Sequence, residues 1–342
     1  MVIGRLAAMT VEEDFASVAA QFRGELLAYC YRMLGSTDEA EDLVQETYLR
    51  AWRSFGGFEG RASARTWLYR IATNACLTAL ERRARRPLPA GLGAPDEDPA
   101  APLVAGPEVP WLQPFPGAPA GSGDSSSPGD PAAAVVAREG IRLAFVAALQ
   151  YLSARQRAVL IMRDVLDWPA AEAAELLGMT TTAVNSALRR ARDQIAAALP
   201  AGSDAADVTG LAEPADPARR ALLDRYAAAI ENADASALAG LLREDIALEM
   251  PPLLTWFAGR DTVLRFVAAS LLPGPGLLRL VPVTANGQPG FAVYERGPDG
   301  TFRAHAIQVL TITDTGIARI VAFANPALFG PFGLPPHLPP SP

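Results

Sequence analysis

Thr182, Ser186, Arg189 and Arg190 share one side of a helix that starts near Thr181, with Asn185 and Arg192 at its margins. Hydroxyls, an amide and guanidinium groups are the side chains that bond base edges and phosphates in a major groove. The opposite side carries Val184, Leu188, Ala191 and Ile195 at i, i+4, i+7 and i+11, one buried stripe. The plain alternative is a helical hairpin with a solvated polar face. A second constellation, Ser63, Trp67, Arg70 and Asn74, repeats at the same spacing, adjoined by Tyr69 and by Arg82, Arg83, Arg85 and Arg86. Rings interleaved with Arg and an amide suit unstacked single-stranded bases. Core packing of Trp67 and Tyr69 is the competing account. A third set is acidic: Asp38, Glu41, Asp42, Gln45 and Glu46 fall outside the apolar stripe of their helix.

Each set needs an element to hold it. Ser153 with Gln156 is a capping box for a helix from Ala154 to about Val165. Pro169 suits the first turn of a second helix ending at Gly178, whose freedom at positive φ makes a stop. The run Thr180, Thr181, Thr182 supplies an N-cap for the third. Short helix, Gly turn, longer helix is the helix-turn-helix plan. Earlier in the chain, Thr10 with Glu13 opens a helix to about Leu34, and Ser36 with Glu39 caps the acidic one. Gly56, Gly57 and Gly60 make a loop carrying Phe58 and Arg61, and a third helix spans about Ser63 to Arg86.

Length and composition bound the answer. The chain of 342 residues allows two or three domains. It holds no apolar run long enough for a membrane span and no signal-peptide pattern, so a cytoplasmic protein without membrane contact is expected. Cys30 and Cys76 read as reduced core residues. The net charge of −7 argues against a generally basic nucleic-acid binder, yet it is unevenly spread. Val11–Thr47 is acidic, whereas Arg61–Arg86 carries many Arg against Glu81 alone. All basic residues are Arg, which points to a GC-rich gene and weakens Arg as a sign of phosphate binding.

Residues 87–134 hold 12 Pro and 7 Gly, several acids and no Arg, a low-complexity linker. Such a chain averages roughly 40 Å end to end if flexible. Trp111, Leu112 and Phe115 stand out in it as a docking point. After a joint at 200–217, helical patterns over Arg219–Glu231, Ser236–Leu242 and Asp261–Leu271 precede four strand-like runs between Leu277 and Ala324. Turns at Asn286-Gly287, Asp299-Gly300 and Asp314–Gly316 separate them, an α+β pattern of antiparallel hairpins. No phosphate-binding loop, Cys/His metal spacing or nucleophile motif is present, so no cofactor, no metal and no catalysis are expected.

DEAEDLVQETYLRAW and TWLYRIATNACLTALERRARR resemble region 2 of bacterial extracytoplasmic-function (ECF) sigma factors, and LSARQRAVLIMRDVLDWPAAEAAELLGMTTTAVNSALRRAR is similar to their region 4. The two matches stand in the family's order over roughly the first 200 residues. The resemblance implies core RNA polymerase and promoter DNA as partners. It places Asp38, Asp42, Gln45 and Glu46 at the polymerase. Phe58, Arg61, Ser63, Trp67, Arg70 and Asn74 then fall at the −10 element, and Thr181, Thr182, Asn185, Ser186, Arg189 and Arg190 at the −35 element. It also implies a linker threaded through the polymerase's RNA path. Asn185 and Ala187 depart from the Lys and Arg often found there. NADASALAGLLREDIALEMPP, TWFAGRD and the strands to VAFANP resemble the SnoaL-like, NTF2-like family.

The expected fold is thus multidomain: all-α region 2 (10–86), linker (87–134), all-α helix-turn-helix region 4 (135–199), joint (200–217), an α+β cone-shaped SnoaL-like domain (218–330) and a Pro-rich tail (331–342). Trp256, Tyr294, His305 and Phe323 are candidates for a pocket in that domain. The tail, with Leu328, Phe329, Phe332 and Leu334, is expected to dock on region 2 or near Trp111 and so let the last domain modulate the rest in cis. Two rivals stand beside the sigma reading: a ligand-responsive one-component regulator, and a fused cyclase or isomerase. The acidic and aromatic helices disfavour the first, and the lack of convergent acid–base residues disfavours the second.

Overall fold

The computed structural model describes residues 2–55, 63–81, 83–117, 142–198, 217–271 and 274–340. The chain forms two compact units: a helical unit of Met1–Arg85 with Phe145–Pro200, and a sheet unit of Arg86–Ala144 with Ala201–Pro342.

The helical unit begins with α1 (Val2–Leu34), α2 (Thr37–Phe55) and α3 (Ala64–Leu80). The expected start at Thr10 is wrong: α1 begins upstream, because Arg5, Leu6, Ala7, Ala8 and Met9 are strong helix formers that need no cap at Thr10. Gly35, at φ 71°, ends α1, and the Ser36 hydroxyl accepts the Glu39 N–H to start α2. Leu26, Tyr29 and Met33 of α1 pack with Leu43, Val44 and Ala51 of α2 and with Leu68, Ala72 and Cys76 of α3. Each large apolar side chain buried this way contributes roughly 1.5–3 kcal/mol. The Tyr29 hydroxyl lies 2.8 Å from that of Thr73, which removes the cost of leaving both unpaired in the core.

After α4 (Leu143–Leu149), α5 (Ala154–Leu160) continues as a π turn over Ile161–Val165. Then follow α6 (Ala170–Leu177) and α7 (Thr181–Ala198). Both halves of the Ser153–Gln156 capping box are formed. Gly178 takes the left-handed conformation, φ 62°, so the chain can turn from α6 into α7. The Thr180 hydroxyl accepts the Ala183 N–H at 3.1 Å and caps α7.

The sheet unit carries α8 (Pro217–Glu231), α9 (Ala235–Ala239) and α10 (Arg260–Phe266) on a mixed sheet. Its strands are β1 (Leu242–Glu249), β2 (Trp256–Ala258), β3 (Leu278–Ala285), β4 (Gln288–Arg296), β5 (Phe302–Thr313), β6 (Gly316–Phe323) and β7 (His337–Leu338). The order is β2-β1-β6-β5-β4-β3, with β7 paired to β5 and only β1–β6 parallel. The four expected hairpin strands are present; β1 and β2 were not foreseen. Between helices and sheet, Tyr226, Phe257, Phe266, Phe291 and Ile320 belong to one apolar core.

The linker differs most from expectation. Residues 87–117 are strapped along the sheet unit by main-chain hydrogen bonds. Asp96 N donates to Trp256 O (2.8 Å), Gly106 N to Pro252 O (2.9 Å) and Gly117 N to Thr284 O (2.8 Å). Leu254 N and Asn286 N donate back to Val104 O and Phe115 O, both at 2.7 Å. Proline removes donors, so few N–H groups remain in the strap, and several of them find acceptors here. Buried Glu249 accepts the Ala90 N–H at 2.8 Å and lies 2.9 Å from Arg319. Leu112 and Phe115 are buried, as a docking point would be. At Gly117 a β-carbon would sit 2.7 Å from the Thr284 side chain, too close for any other residue without a shift. Residues 118–134 lie outside the described residues.

The tail also departs from expectation. It packs on its own domain: Leu328 and Phe329 are buried, the Phe329 ring meets that of Tyr294 edge-on at 5.0 Å, and Tyr294 donates its hydroxyl to Pro335 O at 3.0 Å. β4 and β5 leave an apolar patch and free acceptors there, which the nearest segment in sequence covers.

Candidate nucleic-acid and polymerase interface

α7 presents its polar side as the sequence suggested. Thr181, Thr182, Asn185, Arg189 and Arg190 are exposed and Ser186 is half-buried, while Val184, Ala187, Leu188 and Ala191 are buried. Ala187 therefore belongs to the packed side, where a Lys or Arg would not fit. Arg192, at the margin, is committed elsewhere: its guanidinium grips Asp164 at 2.9 and 2.7 Å and braces α7 against the π turn after α5. A two-point Arg–carboxylate fork fixes orientation as well as distance.

On α2, Asp38, Asp42, Gln45 and Glu46 are all exposed. Glu46 pairs with Arg50 one turn on, at 2.6 Å. Glu39, Asp42 and Glu46 border a groove of about 280 Å³ between α2 and α3, faced by Ala75 and Arg83. Leu49 and Trp52 add exposed apolar surface to the same helix, 57% and 41% accessible. Exposed acids beside an apolar stripe can receive a partner helix that carries cations.

α3 is different. Phe58 and Arg61 lie outside the described residues. Ser63 is exposed and serves as N-cap, accepting the Thr66 N–H at 3.1 Å. Trp67 is half-buried, its ring 6.2 Å from that of Phe55, and Asn74 is exposed. Arg70 donates to Glu175 of α6 at 2.9 Å. Tyr69 is wholly buried, with the Trp168 ring 5.2 Å away. Burial pushes its hydroxyl pKa well up, as does the nearby Glu25.

Sequence reasoning missed Arg65, Arg157, Trp168 and Glu175. Arg157 is almost fully buried and donates to Met33 O, to Gln150 Oε1 at 3.1 Å and to Leu152 O at 3.3 Å. Desolvation lowers its pKa to about 10. A Trp in the short turn before α6 was the one visible signal, since an apolar ring there needs a second surface to pack on.

The four expected pocket residues of the sheet unit are not brought together. The Trp256 indole donates to Gly93 O in the strap at 3.0 Å, and Tyr294 lies under the tail. Phe323 is buried opposite Ile307, while His305 is exposed, 3.5 Å from Glu295. Strand alternation sends His305 outward and Ala306 inward, and the interior is filled by the apolar core. Among the described residues no cluster of His, Cys, Asp and Glu could hold a metal, and no helix is long and apolar enough to cross a membrane.

Residues 18–86 match Sigma-70 region 2 and residues 142–195 match Sigma-70 region 4. Over 336 residues the chain is 46% identical to the ECF RNA polymerase sigma factor SigG of Mycobacterium tuberculosis, covering 98% of this chain and 88% of that one. It is 30% identical to SigJ of the same organism over 319 residues, 90% of each chain. The crystal structure of that SigJ superposes with a TM-score of 0.61 at 25% identity, covering 94% of this chain and 99% of the other. With two region-specific matches in order and full-length relatives, the chain belongs to the ECF family of RNA polymerase sigma factors.

Proposed function

We propose that this ECF sigma factor, which directs RNA polymerase to promoters as an alternative sigma factor, does so through three separate surfaces. The acidic side of α2, Asp38, Asp42, Gln45 and Glu46, receives core polymerase. α3 and the loop before it, with Phe58, Arg61, Ser63, Trp67, Arg70 and Asn74, hold the −10 strand. α7 reads the −35 element through Thr181, Thr182, Asn185, Ser186, Arg189 and Arg190. One observation carries the reading: α7 is capped, braced by Arg192–Asp164, and turns an unobstructed row of hydroxyl, amide and guanidinium groups outward. The protein acts where polymerase is, in the cytoplasm.

The sheet unit works by binding and not by catalysis. Its interior is apolar and filled, and its one strand histidine points outward. It modulates the sigma regions in cis by holding residues 87–117. A linker seated by Glu249, Asn286 and the 252–255 loop must leave that seat to thread into polymerase. Run-off transcription with purified core polymerase tests the whole. The wild type should start transcripts at discrete promoters, and weakening the strap with Asn286→Ala should change their yield without changing their start sites. Failure of the wild type to support any promoter-specific transcript would end the sigma assignment.

A further inference from the structure

Within the helical unit the two DNA-binding modules touch through the side of α3 that faces the −10 strand in the reading above, on which this inference rests. Trp168, just before α6, covers Tyr69, the rings 5.2 Å apart and inclined at 58°. The Arg65 guanidinium lies over both, 5.2 Å from the Tyr69 centroid and 5.7 Å from that of Trp168, and is held there by Glu25 at 2.7 Å. Arg70, in the row with Ser63, Trp67 and Asn74, is paired with Glu175 of α6 at 2.9 Å. At the far end of the first module Arg85 covers the Tyr151 ring at 4.3 Å, and Arg157 clasps the end of α1 through Met33 O.

These contacts share a chemistry. A carboxylate sits on a guanidinium that a phosphate would otherwise take, and an indole covers the ring next to it. Glu175 thus stands in for one phosphate of a strand, and Trp168 screens the surface beside it. Arg70 cannot hold both anions at once. The joint is built mainly from ion pairs, cation–π contacts and single rings, each weak and several salt-sensitive, so it can open without unfolding either module. α7, in contrast, is left exposed.

We propose that the helix-turn-helix module latches over the −10 face of α3 in the free protein, through Glu175 on Arg70 and Trp168 on Tyr69, and that engagement with core polymerase opens the latch. Free protein then offers only its −35 helix to DNA, and the −10 face becomes available in the holoenzyme.

Distance measurement between nitroxides tests this on the full chain. Labels go on cysteines introduced at exposed Thr78 of α3 and Gln194 of α7; native Cys30 and Cys76 are fully buried. Free wild type should give one short, narrow distance. Glu175→Arg, at a side chain 76% accessible and so tolerant of change, should raise the long-distance fraction several-fold. The charge swap Arg70→Glu with Glu175→Arg should restore the short distance, which a merely structural role for Glu175 would not do. Adding core polymerase should convert wild type to the long distance. A free wild type already broad and long, or a Glu175→Arg distribution identical to wild type, would overturn the latch. Co-purification with core polymerase is scored separately. If core does not bind, the polymerase reading falls, while the free-protein distances and the charge swap still decide the latch.

Discussion

The two units use polar side chains in opposite ways. In the helical unit the candidate groups are exposed on α2 and α7, and the buried polar ones, such as Arg157, tie helix ends together. In the sheet unit the informative polar groups are buried and bind the chain's own strap: Glu249 holds Ala90, Asn286 holds Phe115 and Thr255 holds Val104. Surface groups that serve a partner can change with little cost to folding. Buried groups that serve the chain itself cannot.

Four substitutions sharpen or break that contrast. Glu249→Ala should have the largest effect. It leaves Arg319 without its carboxylate and Ala90 N–H without an acceptor, so about 3 kcal/mol of stability should be lost, seen as a lower denaturation midpoint. An unchanged midpoint would mean that the strap is incidental. Asp42→Arg with Glu46→Arg comes next, with holoenzyme assembly weakened by roughly 2 kcal/mol and thermal stability within about 0.5 kcal/mol of wild type. Co-purification with core polymerase and a melting curve read the two halves of that statement.

Arg189→Ala should reduce transcription from −35-dependent promoters about tenfold, as loss of one good base contact does, again without destabilising the fold. Asp245→Asn should matter least. Arg243 donates to both oxygens of Asp245 at 2.8 Å and holds that carboxyl below its usual pKa. A depressed carboxyl adds stability above its unfolded pKa and loses it as pH falls through the folded one. The side chain is 67% exposed, so the gain is at most about 0.3 kcal/mol near neutral pH, vanishing below about pH 4. Urea denaturation at the two pH values measures it.

Much of the helical unit was legible because its signals are local. The Ser153–Gln156 box, Gly178 and Thr180 act within four residues of themselves, and the sequence shows them whole. β1 was not legible: Leu242–Glu249, with Arg, Glu, Ala and Leu, has helix-forming composition and becomes a strand only because β2 and β6 flank it. The strap was read as a spacer for the same reason. Its acceptors sit at Pro252, Trp256 and Thr284, far along the chain, and nothing in 87–117 announces them. The −10 residues were found as a row, but their occupation by Trp168 and Glu175 was invisible, since it depends on how two modules meet.

The chain passes from helical unit to sheet unit after Arg85, returns after Ala144 and leaves again after Pro200. A stop codon placed after the second module therefore does not cleanly subtract a domain. It removes β1 to β7 but keeps residues 87–117, stripping Leu112 and Phe115 of the surface that buries them and leaving Ala90, Asp96 and Gly117 amides without acceptors. The truncated protein would carry a newly uncovered, sticky ribbon between its two DNA-binding modules. Altered activity in such a deletion mixes the loss of one domain with the gain of that ribbon, and a deletion that also replaces 87–117 by a neutral polar linker separates the two.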